Sequence, residues 1–374
     1  MSNLLLLAEL ALIAAVFAGL PLLYLWKRPG YNFFQKLNWV LVFMTFDLIV
    51  FGAFTRLTDS GLGCPDWPGC YGTSNPWHAI GEITLAEAAM PTGPVTVIKA
   101  WIEMIHRYLA MTVGALILIQ VGLAWSKIKS LGKKPLLASL GLLLLVCIQG
   151  AFGAWTVTLK LQPIIVSIHL MLALILLACL TAYAQEEWED QLSSVRQLQV
   201  RPLSAKLLLL ASVTLAMQIF LGAWVSTNYA VLACPDFPTC MGALWPETAW
   251  QEGFTLWRAL GLNALGESIS PTALQTIHWA HRVFAICALT ALGFLALNGF
   301  SVTSTALSGL GRIARLLLTL LILQALTGIS NVVFQWPLVA ALMHTAGSAA
   351  LVFCLVRLSS WASWSAPIHI KIAK

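Results

Sequence analysis

The chain has 374 residues, 59% of them hydrophobic and 10% charged, with a formal charge of +6. A soluble domain carries about 25% charged residues, so an ordinary soluble fold is excluded and an all-α polytopic membrane protein is expected. The positive balance calls for no nucleic-acid partner, because basic residues in membrane-protein loops set topology.

Apolar runs of bilayer length predict nine transmembrane helices, at 4–26, 37–56, 100–125, 136–156, 164–184, 207–230, 276–299, 313–334 and 338–358. Two long loops, 57–99 and 231–275, interrupt an otherwise tight series. The stretches 27–36, 126–135, 185–206, 300–315 and 357–374 hold 15 of the 21 Lys and Arg residues. They are alternate loops plus the C-terminus, so the charge rule places them in the cytoplasm and both long loops outside. The first helix begins MSNLLLL, with no basic flank or clear cleavage site, and is followed by KRPG. It reads as a retained span with its N-terminus outside.

Beyond that first helix, eight remain in two sets of four. FGAFTRLTDSGLGCPDWPGC (51–70) matches LGAWVSTNYAVLACPDFPTC (221–240), and EMIHR (103–107) matches HWAHR (278–282). QGAFGAWTVTLKLQPIIVSIH (149–169) matches QALTGISNVVFQWPLVAALMH (324–344). The histidines repeat at an offset of 175 and the cysteines at 170. The expected organisation is an additional helix and basic loop at 1–36, a four-helix half at 37–185, a cytoplasmic linker at 186–206, and a second four-helix half with a basic tail at 207–374. An even number of helices per half makes the two bundles parallel and pseudo-symmetric about an axis near the membrane normal.

Of seven histidines, His78 falls in the first long loop and His369 in the basic tail, and both read as incidental. His106 and His281 stand near the start of the second helix of each half, His169 and His344 near the start of the fourth. At ~1.5 Å rise per residue each lies roughly 7–10 Å inside the outer helix end. Two imidazoles at one depth suit axial ligation of a heme standing between helices. Helix–helix hydrogen bonding and another metal are the competing readings, and zinc is disfavoured because it takes three or four protein ligands. Arg107 and Arg282 each follow a histidine; they are candidates for heme propionates or for snorkelling to lipid headgroups.

Glu103 precedes His106 by three residues and shares its helix face. Its repeat mate is His278, a candidate supporting residue that either competes with His281 as a ligand or bonds a propionate. A carboxylate near the membrane interior is costly. It can accept a proton, stabilise positive charge, or orient a neighbouring histidine or arginine. The asymmetry implies that one half reacts and the other assists. Cys147, Cys179, Cys287 and Cys354 lie in helices and read as buried apolar side chains. Cys64 and Cys70, and likewise Cys234 and Cys240, form proline-containing C-x5-C loops. One structural disulfide per half is the leading reading, a redox role the second, and a metal site the weakest.

With these residues assembled, the chain resembles the heme A synthase family over roughly 37–358. The resemblance rests on TRLTDSGLGCPDWPGC (55–70), EMIHR (103–107), His169, His281, His344 and CPDFPTC (234–240). It implies an oxidoreductase of the bacterial inner membrane that converts heme O to heme A, oxidising a porphyrin methyl group to a formyl group through hydroxylated intermediates. It implies that His106 and His169 ligate the substrate heme iron, that Glu103 is the catalytic carboxylate, and that His281 and His344 ligate the iron of a heme b that carries electrons away. Implied partners, besides the bilayer, are the heme O synthase that makes the substrate and the cytochrome oxidase that receives the product. The first helix departs from the family's eight-helix core. A di-heme b-type electron carrier is the alternative, and it needs neither Glu103 nor asymmetric halves. A transporter, the third class, places polar groups near the midplane rather than near the outer helix ends.

Overall fold

The computed structural model describes residues 3–26, 33–192, 203–300 and 308–363. Its helices are α1 (Asn3–Trp26), α2 (Phe33–Leu57), α3 (Ile80–Ala89), α4 (Val97–Ser126), α5 (Ile128–Leu131) and α6 (Lys134–Thr158). They continue as α7 (Pro163–Leu192), α8 (Ala205–Thr227), α9 (Trp250–Gly253), α10 (Pro271–Phe300), α11 (Ser308–Val333) and α12 (Leu338–Leu358). All nine expected spans form helices. Eight of them, α2, α4, α6, α7, α8, α10, α11 and α12, are long and apolar enough to cross a membrane, and α1 is apolar over Leu5–Gly19. The protein is a polytopic helical membrane protein. The only strands among the described residues are β1 (Leu203–Ser204) and β2 (Ala362–Ser363), paired in parallel.

Local chemistry explains where the long helices start. The Thr96 hydroxyl accepts the Lys99 N–H at 3.1 Å and caps α4. Ser270 does the same for α10 through Ala273 N–H at 3.1 Å. Pro163 and Pro271 open α7 and α10, where a missing N–H costs nothing.

The chain forms two compact units, 1–184 and 185–374. In the first, α4 packs against α1, α2 and α6. Leu6 and Leu10 of α1 join a buried cluster with Cys64, Cys70, Ile83, Met104 and Tyr108. Glu9 accepts a hydrogen bond from the Ser74 hydroxyl, and Phe17 stacks on Tyr108 with ring centroids 6.4 Å apart. The N-terminal half of α1 therefore lies beside the first cysteine loop. In the second unit, α10 packs against α8, α9 and α11, and α11 against α12.

The sequence repeat recurs in the backbone of each unit. Left-handed conformations fall at Asp59 and Tyr229, and at Tyr71 and Met241, each pair 170 positions apart. They fall again at Lys160 and Gln335, and at Leu161 and Trp336, each pair 175 apart. The latter residues form the tight turns joining α6 to α7 and α11 to α12.

One expectation needs correction. Cys354 is buried, but Cys147, Cys179 and Cys287 are exposed on the outer faces of α6, α7 and α10. Lipid is as apolar as a protein core, so hydrophobic character does not separate inward from outward positions in a spanning helix. Lys27, Arg28, Arg196, Arg201, Lys371 and Lys374 of the basic stretches lie outside the described residues, as does His369.

Candidate heme-binding site

Each helix-borne histidine at 106, 169, 281 and 344 sits against a glycine of the preceding long helix. A Cβ on Gly52 of α2 would lie 3.0 Å from His106 Cε1, and one on Gly222 of α8 only 2.9 Å from His281 Cε1. The matching distances are 3.3 Å for Gly153 to His169 and 3.3 Å for Gly328 to His344. A side chain at any of these positions would push the ring away. In the first unit His106 and His169 lie within electrostatic reach of one another, as do His281 and His344 in the second.

The ring environments differ between units. Phe51 stacks on His106 with an interplanar angle of 7°. His106 and His169 each bury an Nδ1 that meets no side-chain partner. In the second unit, Gln218 Nε2 lies 3.1 Å from His281 Nδ1, and Thr327 Oγ1 lies 2.9 Å from His344 Nδ1. Among the described residues, no cluster of three or more His, Cys, Asp or Glu could hold a metal ion. A pair of imidazoles instead fits a porphyrin, which brings its own equatorial nitrogens. Two buried imidazoles within electrostatic reach of one another in each unit suit that group.

Glu103 is buried, with 3% of its surface exposed. Its Oε2 accepts the Cys64 N–H at 2.8 Å, and its Oε1 pairs with the Arg107 guanidinium. Arg107 also donates to the carbonyls of Asp66, at 2.9 Å, and of Gly69. The Asp66 carboxylate accepts the N–H groups of Tyr71 at 2.6 Å and Gly72 at 2.7 Å. Cys64 and Cys70 are joined in a disulfide. Carboxylate, arginine, loop and disulfide thus form one network.

The second unit repeats this network with one exchange. Arg282 Nε donates to His278 Nε2 at 3.1 Å, where Arg107 meets Glu103. Arg282 also donates to the carbonyls of Cys234 (2.6 Å), Asp236 (2.7 Å) and Thr239 (3.0 Å). Cys234 and Cys240 are joined in a disulfide packed on Trp279. Asp236, in the loop outside the spans, accepts from the Thr239 hydroxyl and from Met241 and Gly242 N–H at 2.7 and 2.9 Å. These hydrogen bonds, the Thr239 hydroxyl foremost, pull its carboxyl from 3.8 down to about 2.

Sequence reasoning missed the four glycines, the two loop aspartates and Thr327. A signal for the glycines existed: a Gln stands four residues before Gly153, Gly222 and Gly328. Leu48 takes that place before Gly52. The aspartates were visible as the shared CPD of both loops.

The fold and this site define an integral membrane protein built around paired histidines on its long helices. Residues 35–356 match the model of the cytochrome oxidase assembly protein family COX15-CtaA, and the chain belongs to that family. Helix α1 precedes the matched residues. A protein of Shewanella oneidensis named heme A synthase is 38% identical over 333 residues, covering 87% of this chain and 96% of the relative. Proteins of the same name from Sinorhizobium fredii and Rhizorhabdus wittichii are each 29% identical, over 89% and 85% of this chain and 91% of each relative.

Proposed function

We propose that this chain converts heme O to heme A, oxidising a porphyrin methyl group to a formyl group through hydroxylated intermediates. The observation that carries the reading is the set of four glycine-seated histidines, two per unit, with a buried carboxylate beside only one pair. In this reading His106 and His169 hold the substrate heme in the half at 37–185. His281 and His344 hold a resident heme b in the half at 207–374. Bound there, heme b supplies one-electron transfer that carries electrons away from the substrate site.

Glu103 stands one helical turn from His106, and the Arg107 guanidinium and the Cys64 N–H orient it. Loss of two electrons and a proton from a methyl carbon conjugated to the porphyrin would leave positive charge there, to which water would add its oxygen and release a second proton. A fixed carboxylate stabilises that charge and accepts the departing proton. Arg107 and Arg282 hold the disulfide loops by their backbone carbonyls and would offer positive charge to heme propionates. His278 supports Arg282 in the half that does not react.

The cysteine loops face the periplasm of a bacterial inner membrane and the C-terminus faces the cytoplasm, a topology supported by the placement of Lys and Arg. The contacts of Leu6 and Glu9 with the first loop support an N-terminus on that same side. The heme O synthase and the cytochrome oxidase are the partners that supply substrate and accept product.

The test is expression in a host that makes heme O but no heme A, followed by extraction and separation of the hemes. Heme A formed by the wild-type chain and not by Glu103→Ala supports the reading. Heme O left unconverted by an expressed, heme-loaded wild-type chain overturns it.

A further inference from the structure

The Thr327 hydroxyl touches three groups. Its oxygen lies 2.9 Å from His344 Nδ1, 2.8 Å from the Leu323 carbonyl one turn back in α11, and 3.3 Å from the Gln324 carbonyl. A hydroxyl has one proton to donate, and a carbonyl can only accept. The proton therefore goes to the backbone, and the oxygen presents a lone pair to the imidazole. His344 Nδ1 must then carry its own proton and donate it to Thr327. That leaves Nε2 with its lone pair, the form that binds iron.

The first unit lacks this device. Phe152 stands 175 positions before Thr327, the offset that relates His169 to His344, and QGAFG (149–153) aligns with QALTG (324–328). The backbone at Gln149 meets the His169 ring as the backbone at Gln324 meets His344, but phenylalanine offers no hydroxyl, and His169 Nδ1 has no side-chain partner. The other helix pair does not repeat the device, because Gln218 meets His281 Nδ1 through its Nε2 amide, a donor and not an acceptor. Gln218 approaches His281, whereas its counterpart 170 positions earlier, beside the His106 helix, is Leu48.

We propose that Thr327 is a positioning residue that locks His344 in the Nδ1–H form, and that this lock, absent from the first unit, separates a retained heme from an exchanged one. The inference rests on the heme reading above. A hydrogen bond donated from Nδ1 gives the imidazole anionic character, which favours ferric iron and tightens the axial bond. A resident electron carrier gains from that. A heme that enters as substrate and leaves as product is better served by Phe152.

The experiment compares full-length wild type, Thr327→Val, Thr327→Ser and His344→Ala in detergent. The readouts are the midpoint potential of the retained heme and the rate of its transfer to excess apomyoglobin. Valine keeps the shape and removes the hydroxyl; serine keeps the hydroxyl and removes the methyl. Thr327→Val is expected to raise the potential and to speed heme loss by roughly 10–100-fold, as for other partners of metal-bound histidines. Thr327→Ser is expected to match wild type. The proposal is overturned if valine matches wild type on both readouts, or if serine shifts them as far as valine does. A wild-type chain whose heme is unaffected by His344→Ala overturns the heme reading itself, and this inference with it.

Discussion

The Cys64 N–H donates to Glu103 Oε2 at 2.8 Å, so the candidate catalytic carboxylate is held by the first residue of the disulfide loop. Glu103 also shares its buried position with Arg107. Deleting the carboxylate strands that guanidinium, a loss of about 3–5 kcal/mol for a broken buried pair. Glu103→Gln is therefore the cleaner test. It is expected to retain heme and lose heme A formation by about 10²–10⁴-fold, the usual worth of a positioned acid–base group. Pigment retention and extracted heme composition read the two effects separately, and near-normal heme A from the glutamine variant moves the chemistry to another residue.

The glycine seats give a steric prediction. Gly222→Ala places a methyl 2.9 Å from His281 Cε1, closer than carbon atoms approach. The ring must shift, at about 1–3 kcal/mol for overpacking a filled site. Retention of the proposed heme b per chain should fall while the helices still insert. Gly114→Ala in α4 is the control, since nothing lies within 4 Å of a Cβ there. Equal heme content in both variants argues against a ring seated on this glycine.

His281→Ala removes one proposed axial ligand and leaves a cavity in the second unit. The variant should insert and lose its retained heme b, while His106 and His169 of the first unit remain in place. An unchanged absorption spectrum in the purified variant excludes His281 as a ligand.

The loop arginines carry the next prediction. Arg282 donates to three carbonyls of the second cysteine loop, and both cysteines it encloses are buried. Arg282→Met keeps the apolar stem and leaves those carbonyls without a donor. A thiol reductant should then open Cys234–Cys240 faster than Cys64–Cys70 in the same chain, as read by alkylation and peptide mass. Unaltered relative rates would show that the loop does not depend on the guanidinium.

The spanning helices were legible because a bilayer demands about 20 apolar residues per helix, and no other element imposes so long a pattern. The histidines were legible because polar groups stand out in such runs, and the repeat tied them into pairs. Helices α3 and α9 were not, since 10 and 4 residues fall below any bilayer signal. The glycine seats were marked by a recurring Gln four residues earlier but not explained by it: the need for Gly222 lies in a ring 59 positions away, and the packed helix pair shows what the glycine is for. Outward-facing Cys147, Cys179 and Cys287 were misread because lipid and core make the same demand on a side chain.

Asp236 gives a pH prediction with a definite sign. Its carboxyl is lowered from 3.8 to about 2 by the Thr239 hydroxyl and the Met241 and Gly242 N–H groups. A depressed carboxyl contributes stability that is present above 3.8 and is lost as pH falls through about 2. The turn at Thr239–Gly242 should therefore keep its protection against hydrogen exchange, corrected for intrinsic rates, at pH 3. Asp236→Asn should weaken that protection at neutral pH and flatten its pH dependence, because the amide oxygen is a neutral and weaker acceptor. Loss of wild-type protection already at pH 4 would mean that these hydrogen bonds do not hold the carboxylate as described.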